Sequence, residues 1–217
     1  MSRGPRRNPG WVTPPPDFPD PLVGLADHPA PLPLEKVFGR RAPLEVEIGS
    51  GKGNTLVQLA SERPDVDFLG IEIGVKWVRL SRARLIRAGL ANVRVVTGDA
   101  QWILARHLPA GSVQRVHVYF PDPWPKKRHA KRRLFRKGFP DLLKRCLVAG
   151  GDLRVATDHE SYGEQIAEVL EAGGFVPILD AAWDDSPVSA FERKYREQGR
   201  TIRRQAFRPC VDAPPGG

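Results

Sequence analysis

The sequence predicts an α/β fold: a mainly parallel sheet of about seven strands with helices on both faces. Three observations carry that reading. The 217 residues suit one domain, and 41% hydrophobic residues can supply a sizeable core. Half of the 22 prolines fall within residues 1–43, where they remove amide donors and fix φ. From about residue 43 short apolar runs alternate with helical stretches, the spacing of strand–helix–strand units.

Residues 1–35, with Pro14-Pro15-Pro16 and the run Pro29–Pro33, are expected to form a flexible or loosely draped extension, and 36–217 the folded domain. Leu44–Ile48 reads as the first strand, and Asn54–Ser61 as a helix with Leu56, Val57, Leu59 and Ala60 on its buried side. Phe68–Ile73 is a second strand, followed by a helix over Val75–Ala88. Val93–Thr97 is a third strand, then a helix over Ala100–His107. Val116–Phe120 and Leu153–Ala156 read as the next two strands, with a helix over Phe139–Val148 between them. A helix over Tyr162–Ala172 and strands at Phe175–Leu179 and Ile202–Phe207 complete the pattern. Ligands of such sheets sit beyond the carboxyl ends of the strands, where strand order reverses, so the residues just after each strand are the functional candidates.

Composition narrows the class. Only Cys146 and Cys210 are present, far apart and without metal-ligand companions, which argues against a disulfide framework or a zinc site and fits a reducing compartment. No apolar run follows the basic residues of the first segment, and no stretch approaches the roughly 20 apolar residues of a membrane span. A soluble, cytoplasmic protein without a membrane partner is expected. The net charge of +9 is concentrated: residues 126–145 hold ten Lys/Arg and one acid, so the rest of the chain sums to zero. A second concentration, seven Lys/Arg against Glu197, lies at 193–208. Two such segments suit a polyanion, nucleic acid above all.

After the first strand comes Glu47-Ile48-Gly49-Ser50-Gly51-Lys52-Gly53. The glycines allow a tight turn and close approach to a ligand ahead of a helix, but the spacing is neither a P-loop nor the dinucleotide fingerprint. On its own the loop reads equally as a turn or a ligand loop. Glu47 at its mouth suits a cationic ligand better than a pyrophosphate. Glu72, ending the second strand, can take the ribose hydroxyls of an adenosine. Asp99 can receive an adenine amino group, cap the following helix, or do both. After the fourth strand, Phe120-Pro121-Asp122-Pro123-Trp124-Pro125 fixes a carboxylate and an indole between prolines, and the charges of 126–133 follow at once. Trp124 offers a face for a base and the charges offer grips for phosphates. Asp158, after the fifth strand, reads equally as a helix cap or a substrate contact. The lone His107, His117 and His159 read as structural or exposed.

Taken together, Glu47-Ile-Gly-Ser-Gly51, Gly70-Ile-Glu72, Gly98-Asp-Ala100, Phe120-Pro-Asp-Pro-Trp-Pro-Lys-Lys-Arg-His129, Lys131-Arg-Arg-Leu134, Ala156-Thr-Asp158 and Ser189-Ala-Phe-Glu192 resemble the bacterial tRNA (guanine-N7-)-methyltransferases, in order, from about residue 44 to 208. The stretch from Phe120 to His129 is specific to that family, whereas the glycine loop is shared by many methyltransferases. The resemblance implies a Rossmann-like class I methyltransferase fold and transfer of a methyl group from S-adenosylmethionine to N7 of guanine 46 in the variable loop of tRNA. It implies that Glu47, Gly49, Gly51, Glu72, Asp99, Ala100 and Asp122 bind the cofactor and that Asp122 is also the catalytic acid. Lys126, Asp158, Ser189, Ala190, Phe191 and Glu192 would contact substrate, and Arg128, His129, Ala130, Lys131, Arg132 and Arg133 the RNA. No metal is expected, and monomer and homodimer are both left open. The chain departs from the family's usual Thr-x-Phe-Glu at Ser189, which keeps the hydroxyl and loses a methyl group. An adenine or cytosine amino-methylase would carry two adjacent prolines after its acid, and a nicotinamide oxidoreductase another glycine spacing. A non-catalytic RNA-binding protein would not bind the cofactor.

Overall fold

The computed structural model describes residues 12–179 and 190–210. Its elements, in chain order, are α1 (Leu34–Phe38), β1 (Leu44–Ile48), α2 (Asn54–Glu62), β2 (Asp67–Glu72), α3 (Val75–Ala88), β3 (Val93–Thr97), α4 (Ala100–Arg106) and β4 (Val113–Tyr119). There follow α5 (Phe139–Cys146), β5 (Leu147–Thr157), α6 (Glu160–Ala172), β6 (Phe175–Pro177), α7 (Ala190–Glu197) and β7 (Arg203–Pro209), with a short 3-10 turn at Lys127–Arg132. The strands form one seven-stranded sheet in the order β3-β2-β1-β4-β5-β7-β6. Pairing is parallel from β3 across to β5, and β7 runs antiparallel between β5 and β6.

The central strands are covered on both faces, as in doubly wound sheets: β1 is buried at all five positions, Glu45 and Glu47 included, and β2 at five of six. Successive side chains point to opposite faces. Leu69 and Ile71 therefore enter one hydrophobic cluster with Val46, Val118, Phe135, Phe139 and Tyr162, while Phe68 joins Leu56, Leu59, Val78 and Leu85 of α2 and α3 in another. The chain builds β1, β2 and β3 outward in one direction and returns to place β4 on the other side of β1. The carboxyl ends of β1 and β4 thus diverge into loops on opposite sides, which opens the crevice where ligands bind in doubly wound sheets.

Several expectations are refined. The helix expected to reach Val148 ends at Cys146, because the chain turns at once into an 11-residue β5 that starts at Leu147, six residues sooner than the sequence pattern suggests. Helix α7 was not anticipated: only Phe191 and Tyr195 break its charged sequence, too few for a clear apolar stripe. The extension is more closely bound than loose draping implies over its described part. The Val95 amide donates to the Pro21 carbonyl and the Val23 amide to that of Val95, so Pro21–Val23 covers the β3 edge. Arg82 anchors this strap through Asp20 and the Val12 carbonyl, and Leu32 is buried in the core. A covered edge strand cannot pair with another chain.

Candidate active site

A cleft of about 690 Å³ lies at the carboxyl ends of β1, β2, β3 and β4, within the range of small-molecule sites. Its lining includes Glu47, Gly49, Gly51, Glu72, Asp99, Ala100 and Asp122, which are residues expected to meet there, drawn from four separate strand ends. Gly49 and Gly51 carry φ of +77° and +53°, a left-handed backbone that costs other residues energy. The space a side chain would take beside each is open, except for the Gly49 carbonyl near Gly51. The loop therefore offers bare backbone to a ligand.

Glu47 is the least ordinary group in the cleft. It is only 4% exposed, and among the described residues its Oε2 has no hydrogen-bond partner. Burial pushes its carboxyl up to about 8, a hydrogen bond from Thr55 opposes this, and the charge of Glu72 adds to the rise. A buried, unpartnered carboxyl group is costly unless a cation or donor meets it. Glu72 accepts hydrogen bonds from the amides of Gly51 (3.0 Å) and Gly74 (2.8 Å), so it fastens the glycine loop to the turn after β2 while facing the cleft. Asp99 caps α4, accepting from the Trp102 amide at 2.9 Å. The chemistry of this set, two carboxylates, one neutral carboxyl and bare amides, fits an adenosine ligand with a cationic tail.

On the opposite wall, Phe120 and Trp124 hold φ of +53° and +40°. Such values are genuine outliers for bulky residues and cost roughly 1–3 kcal/mol each. The turn between them, rigidified by Pro121 and Pro123 and followed by Pro125, sets Asp122 and Trp124 on the cleft. The Arg132 guanidinium lies over the Trp124 ring, 4.9 Å from its centroid, and His129 meets the same ring edge-on at 5.7 Å. Sequence reasoning missed Trp77, Thr55 and Tyr119, which also line the cleft. Trp77 lies in the first turn of α3, directly after the β2 acid, a signal that was available. Tyr119 is reached from below through His117, whose Nδ1 lies 2.7 Å from the tyrosine oxygen and whose Nε2 lies 2.7 Å from buried Glu45.

A family model described as "Putative methyltransferase" matches residues 41–205. A tRNA (guanine-N(7)-)-methyltransferase of Nitrosococcus oceani is 40% identical over 195 residues, covering 89% of this chain and 83% of the relative. The enzyme of that name from Shewanella oneidensis is 44% identical over 188 residues, covering 84% and 79%. The chain belongs to the tRNA (guanine-N7-)-methyltransferase family. The crystal structure of the aminoglycoside resistance methyltransferase NpmB1 superposes with a TM-score of 0.55 at 19% identity, covering 81% of this chain and 91% of that one, which shows the shared Rossmann-like methyltransferase fold.

Other residues singled out from the family motifs sit outside the cleft. Lys126, Arg128, Ala130 and Lys131 are exposed around the 3-10 turn, with His129 half-buried and Arg132 reaching the cleft rim. Arg133 turns inward and donates to the carbonyls of Pro123 and Trp124. Asp158, at the end of β5, pairs with Arg200 at 2.5 Å. Glu192 on α7 is 2% exposed and receives Arg204 at 2.8 Å on both oxygens and Arg196 at 2.5 Å. These two acids thus tie the second basic segment to the sheet. Tyr195 brings α7 to the cleft loop, its ring 5.4 Å from that of Phe120. Ser189 lies outside the described residues, as do the side chains of Ala190 and Phe191. Among the described residues no group of three or more His, Cys, Asp or Glu could hold a metal ion, and no helix is long and apolar enough to cross a membrane.

Proposed function

We propose that this chain transfers a methyl group from S-adenosylmethionine to N7 of a guanine in tRNA, guanine 46 of the variable loop. The observation that carries this reading is the cleft itself: a buried Glu47, one carboxyl oxygen of which has no partner among the described residues, and the glycine loop face an acid and an indole on a rigid turn, and exposed cations follow at once. Glu47 would receive the cationic methionine end, Glu72 the ribose and Asp99 the adenine. When bound, S-adenosylmethionine would supply a methyl carbon made electrophilic by its positively charged sulfur, the sulfur being the leaving group that would retain the bonding pair.

The protein's residues have a limited task in this reaction. Guanine N7 carries an in-plane lone pair, so no proton must leave before attack, and alignment supplies most of the acceleration. Trp124 gives the base a face to stack on. Asp122 orients the guanine and stabilises the positive charge that develops on it, acting through fixed electrostatics and not as an obligatory base. Lys126, Arg128, Ala130, Lys131 and Arg132, all exposed, and half-buried His129 grip the tRNA backbone, while Asp158 and the Ser189–Glu192 stretch border the substrate. Mapping tests the site: borohydride and aniline cleavage of treated tRNA is expected to cut at position 46, and a cut at another guanine overturns the assignment.

A further inference from the structure

We propose that Arg133 is a positioning residue: its guanidinium clamps the backbone of the Phe120–Trp124 turn and thereby holds Asp122 and Trp124 at the cleft. This deepens the methyl-transfer reading above and rests on it. Arg133 closes the basic run, yet it is half-buried where Arg128, Lys131 and Arg132 are exposed. Its donors point into the protein. Nε donates to the Pro123 carbonyl at 2.7 Å and Nη2 to the Trp124 carbonyl at 3.2 Å. Nη1 donates to the side-chain oxygen of Gln165, and the guanidinium lies over the ring of Tyr162, 5.2 Å from its centroid. Gln165 and Tyr162 both belong to α6, and Tyr162 is fully buried.

The turn requires such a clamp. Its prolines at 121, 123 and 125 have no amide to give, and residues 121–125 belong to no helix or strand. Left-handed φ values at Phe120 and Trp124 persist only where the surroundings over-determine them. Arg133 takes two successive carbonyls of the turn and ties them to a core helix through a third donor. A planar fork reaches three acceptors at once; the point charge of a lysine does not. The charge of Arg133 therefore serves the geometry of the reacting residues, and the tRNA grip falls to its neighbours.

The test compares Arg133→Lys and Gln165→Leu with Lys131→Ala in the full chain. Arg133→Lys is expected to lower kcat by about 30-fold or more, since a displacement near 1 Å can cost about 100-fold. Its KM for tRNA and the salt dependence of tRNA binding should stay within about twofold of the parent. Lys131→Ala should instead weaken tRNA binding and reduce the salt slope by about 1. If Arg133→Lys keeps kcat intact the proposal fails, and Arg133 is a phosphate contact if the charge-removing Arg133→Gln then reduces the salt slope by about 1 as Lys131→Ala does. Hydrogen–deuterium exchange reads the clamp without any activity: peptides covering 120–132 should exchange faster in Arg133→Lys while β1 and β4 stay protected, and unchanged exchange overturns the proposal. Gln165→Leu keeps every charge and should move kcat and exchange in the same direction by a smaller factor. Should Arg133→Lys not fold, a Gln165→Leu protein indistinguishable from the parent overturns the clamp. A parent protein that methylates no tRNA sinks the functional reading alone, because the exchange experiment still decides the clamp.

Discussion

Glu47→Gln separates the charge of the buried carboxyl group from its shape, and the structure sets the size of the expected effect. With its carboxyl raised to about 8, Glu47 in the free protein is ionised in about one molecule in eleven at pH 7 and about one in a hundred at pH 6. If the cofactor's cationic end binds the ionised form, apparent affinity should tighten about tenfold per pH unit up to pH 7 and flatten near 8. Calorimetry in buffers of different ionisation enthalpy should then show about one proton released on binding near pH 6.5. The amide of Glu47→Gln cannot ionise. It should bind about 30-fold more weakly than the parent at pH 8.5, the loss of one charge-assisted hydrogen bond of about 2 kcal/mol, and should show no slope from this site. The gap should shrink to about threefold at pH 7. The sign for stability is opposite: a carboxyl raised on folding stabilises the free protein at low pH, and that stability is lost as pH rises from the ordinary 4.5 through about 8. Equal pH slopes in the parent and Glu47→Gln would refute the reasoning.

Three further outcomes are expected. Asp122→Asn should lower kcat by roughly 100-fold, the scale of one electrostatic stabiliser, with an unshifted pH profile; loss of a low-pH limb would show base catalysis instead. Arg82→Ala, which frees the strap at Asp20, should bare the β3 edge and raise aggregation on light scattering; a monodisperse variant of parent-like melting temperature contradicts that role. Glu45→Ala should cost about 3 kcal/mol in urea unfolding, because buried His117 and Arg63 lose their shared carboxylate. Burial alone would raise the Glu45 carboxyl, but His117 and Arg63 hold it down at about 2. Its contribution is present above the ordinary 4.5 and is lost only as pH falls toward 2, so the cost should be undiminished at pH 6.

Much of the sheet was legible because its strands carry closely spaced β-branched and apolar residues, Val93, Val95 and Val96 in β3 and Leu44, Val46 and Ile48 in β1, even though buried Glu45, Glu47 and Arg94 interrupt them. The acids at the strand ends were legible for the complementary reason: Glu47, Glu72, Asp99 and Asp122 interrupt or close apolar runs where a core would not tolerate charge. What stayed hidden depends on partners distant in sequence. Nothing local distinguishes Arg133 from Arg132, and only the approach of Gln165 and Tyr162 turns one inward. Glu192 and Asp158 look like free acids until Arg204, Arg196 and Arg200 fold onto them. The strap over β3 escaped notice because prolines speak against regular structure but not against a single bridge at an edge.

One reaction tests methyl transfer to guanine N7 directly. Unmodified tRNA is incubated with the full chain and methyl-labelled S-adenosylmethionine, and the digested nucleosides are resolved by mass spectrometry. Label is expected in 7-methylguanosine, dependent on Asp122 and Glu47. Label in any other nucleoside, or cofactor binding without label in the tRNA, would contradict it.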